Sequence, residues 1–320
     1  MTAGARPPIF IDRLLDDPHA VRPLIERHAP YAPVQRYFSD RAEYRQSSGQ
    51  GAGDLIAPNF RGDWAYDVPL VEGAELFLDH GVLREAAAKL FDTPHVRPQI
   101  VYTNLTWQLP FHQGAGHTDV PAFRGIDRTV YPIWFLSIMG HSGLFEEERI
   151  RIATAVAWFY EGKDGGFEYW PDGKDGAPQI HEGEIFNTAI MGDNDRMFHR
   201  VMPVGRREDG LVTDMTLDTR LAHRGGEAWE IVEDGRRLAT FSYPKLRISV
   251  SWKAQVFRDE AERRAVDEHT ADLSFDDVMT RFHDDLDARG VAFGTPDDPL
   301  RDPAFIELLG GVYRQEPAAA

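Results

Sequence analysis

The sequence predicts a mostly β protein, a sandwich or jelly roll, with helices at its two ends. Three observations carry that expectation. Residues 101–109 (VYTNLTWQL) alternate Val101, Thr103, Leu105, Trp107 and Leu109 with Tyr102, Asn104, Thr106 and Gln108, giving one apolar and one polar face. Further short runs follow between residues 131 and 257: YPIWFLSIM, RIATAVAWFY, GGFEYW, GEIFNTAIM, DRMFHRVMPV, AWEIVED, RLATFSY and LRISVSWKAQVF, separated by Gly, Asp, Asn and Pro. Clear helical spacing is confined to the flanks, and many short strands at this interval indicate an all-β sandwich or jelly roll.

In chain order, residues 10–29 carry Ile11, Leu14, Leu15, Val21, Leu24 and Ile25 at roughly helical spacing, with Pro18 and Pro23 as starts or kinks of one or two short helices. Residues 31–69 are rich in aromatics and turn formers and read as long surface connections or a flap. Residues 71–91 are helical in pattern, with Leu76, Phe77, Leu83, Ala87 and Leu90 inward and Gly81 as a weak point. After Phe257 the segment SFDDVMTRFHDDLDARG places Ser274 and Asp277 as a capping box. An apolar stripe of Phe275, Val278, Met279, Phe282 and Leu286 follows, and Gly290 is the stop. Residues 1–320 are expected to form one domain. Residues 1–95 would be an N-terminal helical and loop elaboration, 96–257 a β core with an insertion at about 206–244, and 258–320 a C-terminal helical region.

The chain has 320 residues and no cysteine, which excludes disulfide scaffolds, thiolate zinc sites, iron–sulfur clusters and cysteine nucleophiles together. Any metal must sit on His, Asp or Glu. A formal charge of −17 repels phosphate backbones and anionic lipid, so neither nucleic acid nor membrane is expected as a partner. No run approaches the ~20 apolar residues of a membrane span. A soluble cytoplasmic protein, monomer or homodimer, is the default expectation.

The motif that organises the rest is Gly116-His117-Thr118-Asp119-Val120. On an extended strand His117 and Asp119 project to the same side and can grip one ion. One imidazole and one carboxylate are two-thirds of the 2-His-1-carboxylate triad that leaves open positions on non-heme Fe(II). The second such triplet, His283-Asp284-Asp285, falls in the C-terminal helix, where residues two apart diverge around the axis and cannot chelate together. For the third ligand His199 is favoured over His112, His141, His181 and His223, because it follows a strand and the turn Gly192-Asp193-Asn194-Asp195, as a jelly-roll hairpin requires.

An anion anchor is expected in Arg247-Ile248-Ser249-Val250-Ser251-Trp252-Lys253, whose polar members share one face. A guanidinium inside a barrel needs an anion, and its planar fork suits a carboxylate to which Ser249 adds a hydrogen bond. Arg45-Gln46-Ser47 is an isolated decoy ahead of the metal motif.

His117-x-Asp119, His199 followed by Arg-Val, and Arg247-x-Ser249, in that order, resemble the Fe(II)/2-oxoglutarate-dependent oxygenases over roughly residues 96–257. The resemblance implies a double-stranded β-helix, a cupin-like jelly-roll barrel. It implies Fe(II) on His117, Asp119 and His199, with 2-oxoglutarate on the iron and its distal carboxylate on Arg247 and Ser249. It further implies a dioxygenase that uses O2 to oxidise a small molecule, such as an amino acid or natural-product intermediate, with succinate and CO2 as co-products. Hydroxylation, desaturation or cyclisation is the expected outcome, since Asp119 stands where the family's halogenases have a small residue. No separate protein acid or base is required. The family's arginine commonly follows the distal histidine closely, whereas a long insertion intervenes here, and Lys253 and Arg200 are the alternative anchors. Tyr102, Asn104 and Trp170 are expected to contact substrate or cosubstrate. The competing reading is a cupin-like metal- or ligand-binding jelly roll without 2-oxoacid chemistry; His117 lacks the cupin signature of a second His two residues on.

Overall fold

The computed structural model describes residues 4–37, 56–112 and 116–313. The chain begins with β1 (Ile9–Ile11), α1 (Val21–Arg27), β2 (Ala32–Pro33), β3 (Asn59–Tyr66), β4 (Val68–Pro69), α2 (Glu75–Leu78), α3 (Gly81–Phe91) and β5 (Val96–Thr106). Next come β6 (Ala122–Phe123), α4 (Ile133–Ser142), β7 (Arg149–Trp158), β8 (Phe167–Trp170), β9 (Gln179–His181), β10 (Ala189–Gly192) and β11 (Phe198–Val201). The insertion holds β12 (Arg220–His223), β13 (Ala228–Glu233) and β14 (Arg236–Ser242), before β15 (Arg247–Val256), α5 (Glu260–Asp267), α6 (Phe275–Ala288) and α7 (Pro303–Val312).

Strand order defines the architecture. The main sheet runs β1-β10-β7-β15-β5-β3-β2, and a smaller sheet runs β11-β8-β9. The segment at His117 extends the smaller sheet by bridging to His199 on β11. From β5 onward, leaving aside the short β6 and the insertion strands β12–β14, the chain places its first, third, sixth and eighth extended segments (β5, β7, β10, β15) in one antiparallel sheet. The second, fourth, fifth and seventh (the His117 segment, β8, β9, β11) lie in the other. That alternation is the double-stranded β-helix, a jelly roll.

Period two decides what each face of the main sheet meets. Ile248, Val250, Trp252 and Ala254 of β15 are buried in the core, and Trp252 Nε1 donates to Leu78 O at 3.0 Å, tying the strand to the end of α2. Arg247, Ser249 and Ser251 take the other face, opposite Thr106, Asn104 and Tyr102 of β5. This is the inside of the barrel, so a strand expected to be amphipathic keeps its polar face inward.

A second cluster joins α4, α6 and α7 through Phe135, Met139, Phe145, Val278, Phe282 and Leu309. In α6 the expected capping box forms, with Ser274 Oγ accepting from Asp277 N and Asp277 Oδ2 accepting from Ser274 N, and Gly290 has φ +71° just beyond the end.

Several elements depart from expectation. YPIWFLSIM is the helix α4, because an apolar run without period fits a buried helix as well as a strand, and Ile133, Trp134, Phe135, Leu136, Ile138 and Met139 are all buried. Within 31–69, Asn59–Tyr66 is a strand of the main sheet; its alternation of Phe60, Gly62 and Trp64 is masked by turn-forming Asn59, Gly62 and Asp63. Ile9–Ile11 pairs with β10, so helix is confined to Val21–Arg27 plus a 3-10 turn. The expected strand 183–191 shortens to Ala189–Gly192, because Asn187 is left-handed at φ +61° and its amide binds Leu15 N and O, both at 2.9 Å. Gly81 falls at the junction of α2 and α3. The insertion forms its own three-stranded sheet, with Phe241 stacked on Trp107 at 4.4 Å. Among the described residues no helix is long and apolar enough to cross a membrane.

Candidate metal centre

Backbone pairing brings the three expected ligands together. His117 N donates to His199 O at 3.0 Å and His199 N to His117 O at 2.9 Å, while Asp119 N donates to Asn194 O at 2.8 Å in the β10–β11 turn. Gly116, at φ +90°, admits this approach; a Cβ there would lie 3.3 Å from the Trp170 ring. Ligand atoms of His117, Asp119 and His199 all lie within 4.8 Å of one another, the imidazole centroids are 4.6 Å apart, and Asp119 Oδ1 is 3.7 Å from His199 Nε2. His199 Nδ1 lies 3.0 Å from Met197 O; a carbonyl can only accept, so Nδ1 carries a proton and Nε2 is the nitrogen turned toward the cluster.

Electrostatics favours the ligating protonation states. Burial, reinforced by neighbouring His199, pushes His117 down to about 4, so its imidazole is neutral at neutral pH. Burial alone would raise the Asp119 carboxyl, but the Lys253 ammonium, and then His199, hold it well below the usual carboxylate range. Lys253 Nζ donates to Asp119 Oδ2 at 2.7 Å, and this ion pair outweighs the burial that would discharge the lysine.

The anion anchor is equally distinct. Arg247 is buried, Nε donates to Gly165 O at 2.6 Å, Nη1 donates to Ser249 Oγ at 3.2 Å, and Nη2 has no partner. Gly165, at φ +75°, makes room, since a Cβ would stand 2.5 Å from Arg247 Cδ. Burial lowers the Arg247 pKa, opposed by Tyr160, and Arg247 forms no ion pair with a carboxylate among the described residues. The alternative anchors are engaged: Arg200 donates to Glu168 at 2.5 Å and Lys253 to Asp119. A buried guanidinium with a free donor therefore faces the barrel interior, which fits an anionic carboxylate. The donor set fits the metal and Arg247 fits the 2-oxoacid.

Tyr102 and Asn104 lie on β5 opposite Ser251 and Ser249 of β15 on that inner face. Trp170 does not: it pairs with Phe198 while Tyr169 pairs with His199, so Trp170 points away from the metal side and packs near Gly116 and Arg200. The aromatics beside His199 are Tyr169 and Phe167, the latter with its ring 5.4 Å from the imidazole. A one-residue step within FEYW decides the face, and only the register with β11 fixes it. The decoys disperse: the His283 ring lies tilted against Phe293 at 4.4 Å while Asp285 accepts from Tyr313 at 2.6 Å, and His181 contacts Thr188 at 3.0 Å. His223 lies 3.8 Å from Glu26. Arg45-Gln46-Ser47 lies outside the described residues.

Sequence reasoning missed the groups around Asp119. Thr154 donates to Asp119 Oδ2 at 3.4 Å, and Asp195, in the same turn as Asn194, is buried with both carboxylate oxygens unpartnered. Nothing in a turn sequence GDND distinguishes a buried carboxyl from a solvated one. Burial holds Asp195 well above the ordinary 3.8, opposed by Lys253 and reinforced by Asp119 and Asp193, and burial likewise lifts Asp193 to about 6. For an acid whose pKa is raised in the fold, the folded state holds a proton that the unfolded chain releases, so stability falls as pH rises above 3.8. Asp195→Asn is accordingly expected to stabilise the protein at neutral pH, by a margin that grows between pH 4 and 8. Urea midpoints at both pH values check it; a margin that is flat or shrinks with pH contradicts it.

The fold is a double-stranded β-helix whose inner face carries a His-x-Asp pair and a distal His that could together hold a metal ion, with an orphaned arginine beyond. No protein-family model matches the sequence, and no curated protein matches it. Solved structures similar to the chain include an oxidoreductase of the 2OG-Fe(II) oxygenase family from Burkholderia pseudomallei, at 12% identity, covering 74% of this chain and 78% of that one with a TM-score of 0.40. A prolyl-4-hydroxylase from Pseudomonas putida aligns at 11% identity over 79% of this chain and 94% of its own, TM-score 0.41. HygX from Streptomyces hygroscopicus, solved with nickel, 2-oxoglutarate and hygromycin B, aligns at 9% identity over 79% and 84%, TM-score 0.37.

Proposed function

We propose that the chain is an Fe(II)/2-oxoglutarate-dependent dioxygenase that oxidises a small molecule, such as an amino acid or natural-product intermediate, by hydroxylation, desaturation or cyclisation. The observation that carries this beyond a bare metal site is Arg247, a buried cation with an unpartnered Nη2 on the same barrel interior as the His117, Asp119 and His199 cluster. In this reading His117, Asp119 and His199 hold iron, while Arg247 and Ser249 hold the distal carboxylate of 2-oxoglutarate. When bound, iron, 2-oxoglutarate and dioxygen supply the oxidising power that removes hydrogen from the substrate, with succinate and carbon dioxide released.

The chain's own part is placement and dryness. Tyr102 and Asn104 sit on the inner face between the two anchors, in position to orient cosubstrate or substrate. Tyr169 and Phe167 line the His199 side and exclude water. The acidic surface, with a formal charge of −17, suits a small-molecule substrate better than a polyphosphate one. Anaerobic titration with Fe(II) and then 2-oxoglutarate is expected to give the weak visible charge-transfer band of a chelated 2-oxoacid, and a screen of pooled metabolites read by succinate release then finds the substrate. Metal binding with no band overturns this reading in favour of a jelly roll without 2-oxoacid chemistry.

A further inference from the structure

Asp119 divides its two oxygens. Oδ1 faces the metal cluster, 3.7 Å from His199 Nε2, whereas Oδ2 accepts from Lys253 Nζ at 2.7 Å and from Thr154 Oγ1 at 3.4 Å. Lys253 and Thr154 face each other directly across β15 and β7, so the two donors arrive from adjacent strands of one rigid sheet. The ammonium is largely buried, with a side chain 12% exposed, and reaches Asp119 from within the sheet.

We infer that Lys253 is a positioning residue that, together with Thr154, holds Asp119 as a one-oxygen ligand and so keeps a coordination position open on the metal. The inference rests on the proposed function. A carboxylate that chelates through both oxygens fills one position more than one that binds through a single oxygen, and the 2-His-1-carboxylate site depends on open positions for cosubstrate and dioxygen. A charge-assisted hydrogen bond on Oδ2 withdraws that oxygen from the ion, and the buried setting strengthens it. Lysine suits the task better than a surface cation would, because its stem is packed within the sheet and only the ammonium reaches the carboxylate.

Lys253→Met removes the charge while keeping a similar length. Wild type and variant are loaded anaerobically with Co(II), whose visible absorption weakens as coordination number rises, and with Fe(II) plus 2-oxoglutarate followed by nitric oxide as a dioxygen surrogate read by electron paramagnetic resonance. The expected result is Co(II) affinity lowered by about tenfold, the low end of the range for partners that orient a metal ligand, a weakened Co(II) spectrum, and nitric oxide affinity lowered by more than that. Lys253→Arg is expected to restore the spectrum. A merely structural lysine would depress metal, 2-oxoglutarate and nitric oxide binding together. A Lys253→Met protein with the wild-type spectrum and nitric oxide affinity overturns the inference. If that variant does not fold, Thr154→Val is expected to shift both readouts in the same direction by less, and a wild-type result there overturns the inference equally. Wild-type protein that binds neither Co(II) nor 2-oxoglutarate overturns the underlying function instead.

Discussion

His117→Ala and Asp119→Ala are each expected to reduce Fe(II) or Mn(II) affinity by more than about 100-fold, beyond the 10–100-fold that changes in the surrounding hydrogen-bond partners typically cost. The two substitutions part company in stability. Removing His117 takes away a partly buried imidazole that its surroundings keep uncharged. Asp119→Ala instead strands the Lys253 ammonium that donates to Asp119 Oδ2 at 2.7 Å, and breaking one side of a buried pair costs about 3–5 kcal/mol. Asp119→Ala combined with Lys253→Met should recover much of that stability while metal affinity stays lost, since no carboxylate returns. Anaerobic calorimetric titration gives the affinities and urea denaturation of the metal-free proteins gives the stabilities. Unchanged metal affinity in His117→Ala would remove the metal centre from consideration; equal destabilisation of the two single variants would remove the ion pair from it.

The legible parts of this protein are those where backbone period and side-chain chemistry agree. In β5 and β15 strict alternation sets one polar and one apolar face, and the polar face of each turns inward, where Asn104 meets Ser249 and Tyr102 meets Ser251. His117, Asp119 and His199 stand out in the sequence because two lie at strand spacing and the third follows a hairpin turn, and the structure gathers their ligand atoms within 4.8 Å. α6 was recoverable from its cap and stripe. The misread elements lacked such agreement. α4 is apolar on every side, so no period marks it, and β3 hides its Phe60 and Trp64 among turn formers. Trp170 lies on the face away from His199, because a four-residue strand turns on a single register step that only its pairing with β11 reveals. The Lys253–Asp119 pair joins residues 134 apart through sheet order, and no local pattern encodes that. Asp195 is a buried carboxyl in what reads as an ordinary polar turn.

Arg247→Met is expected to have opposite effects on the ligand-free and ligand-bound protein. In the wild type the guanidinium is buried with Nη2 unpartnered and no carboxylate beside it among the described residues, so the apo fold carries the cost of an uncompensated charge. Methionine fills similar volume without that charge. The bond lost at Gly165 O does not orphan the carbonyl, because Tyr160 Oη also donates to it at 3.2 Å. Apo Arg247→Met should therefore be at least as stable as wild type. With 2-oxoglutarate the order reverses. Losing one partner of a buried charged hydrogen-bond pair costs about 2–5 kcal/mol, which is roughly 30-fold or more in affinity, and the stabilisation conferred by bound ligand falls with it. Metal affinity measured without 2-oxoglutarate should not change, since Arg247 touches none of His117, Asp119 and His199. Thermal unfolding of both proteins loaded with Co(II), with and without 2-oxoglutarate, shows the crossing directly. If 2-oxoglutarate raises the melting temperature of Arg247→Met as much as that of wild type, the cosubstrate is held elsewhere, and the buried guanidinium answers to a different anion.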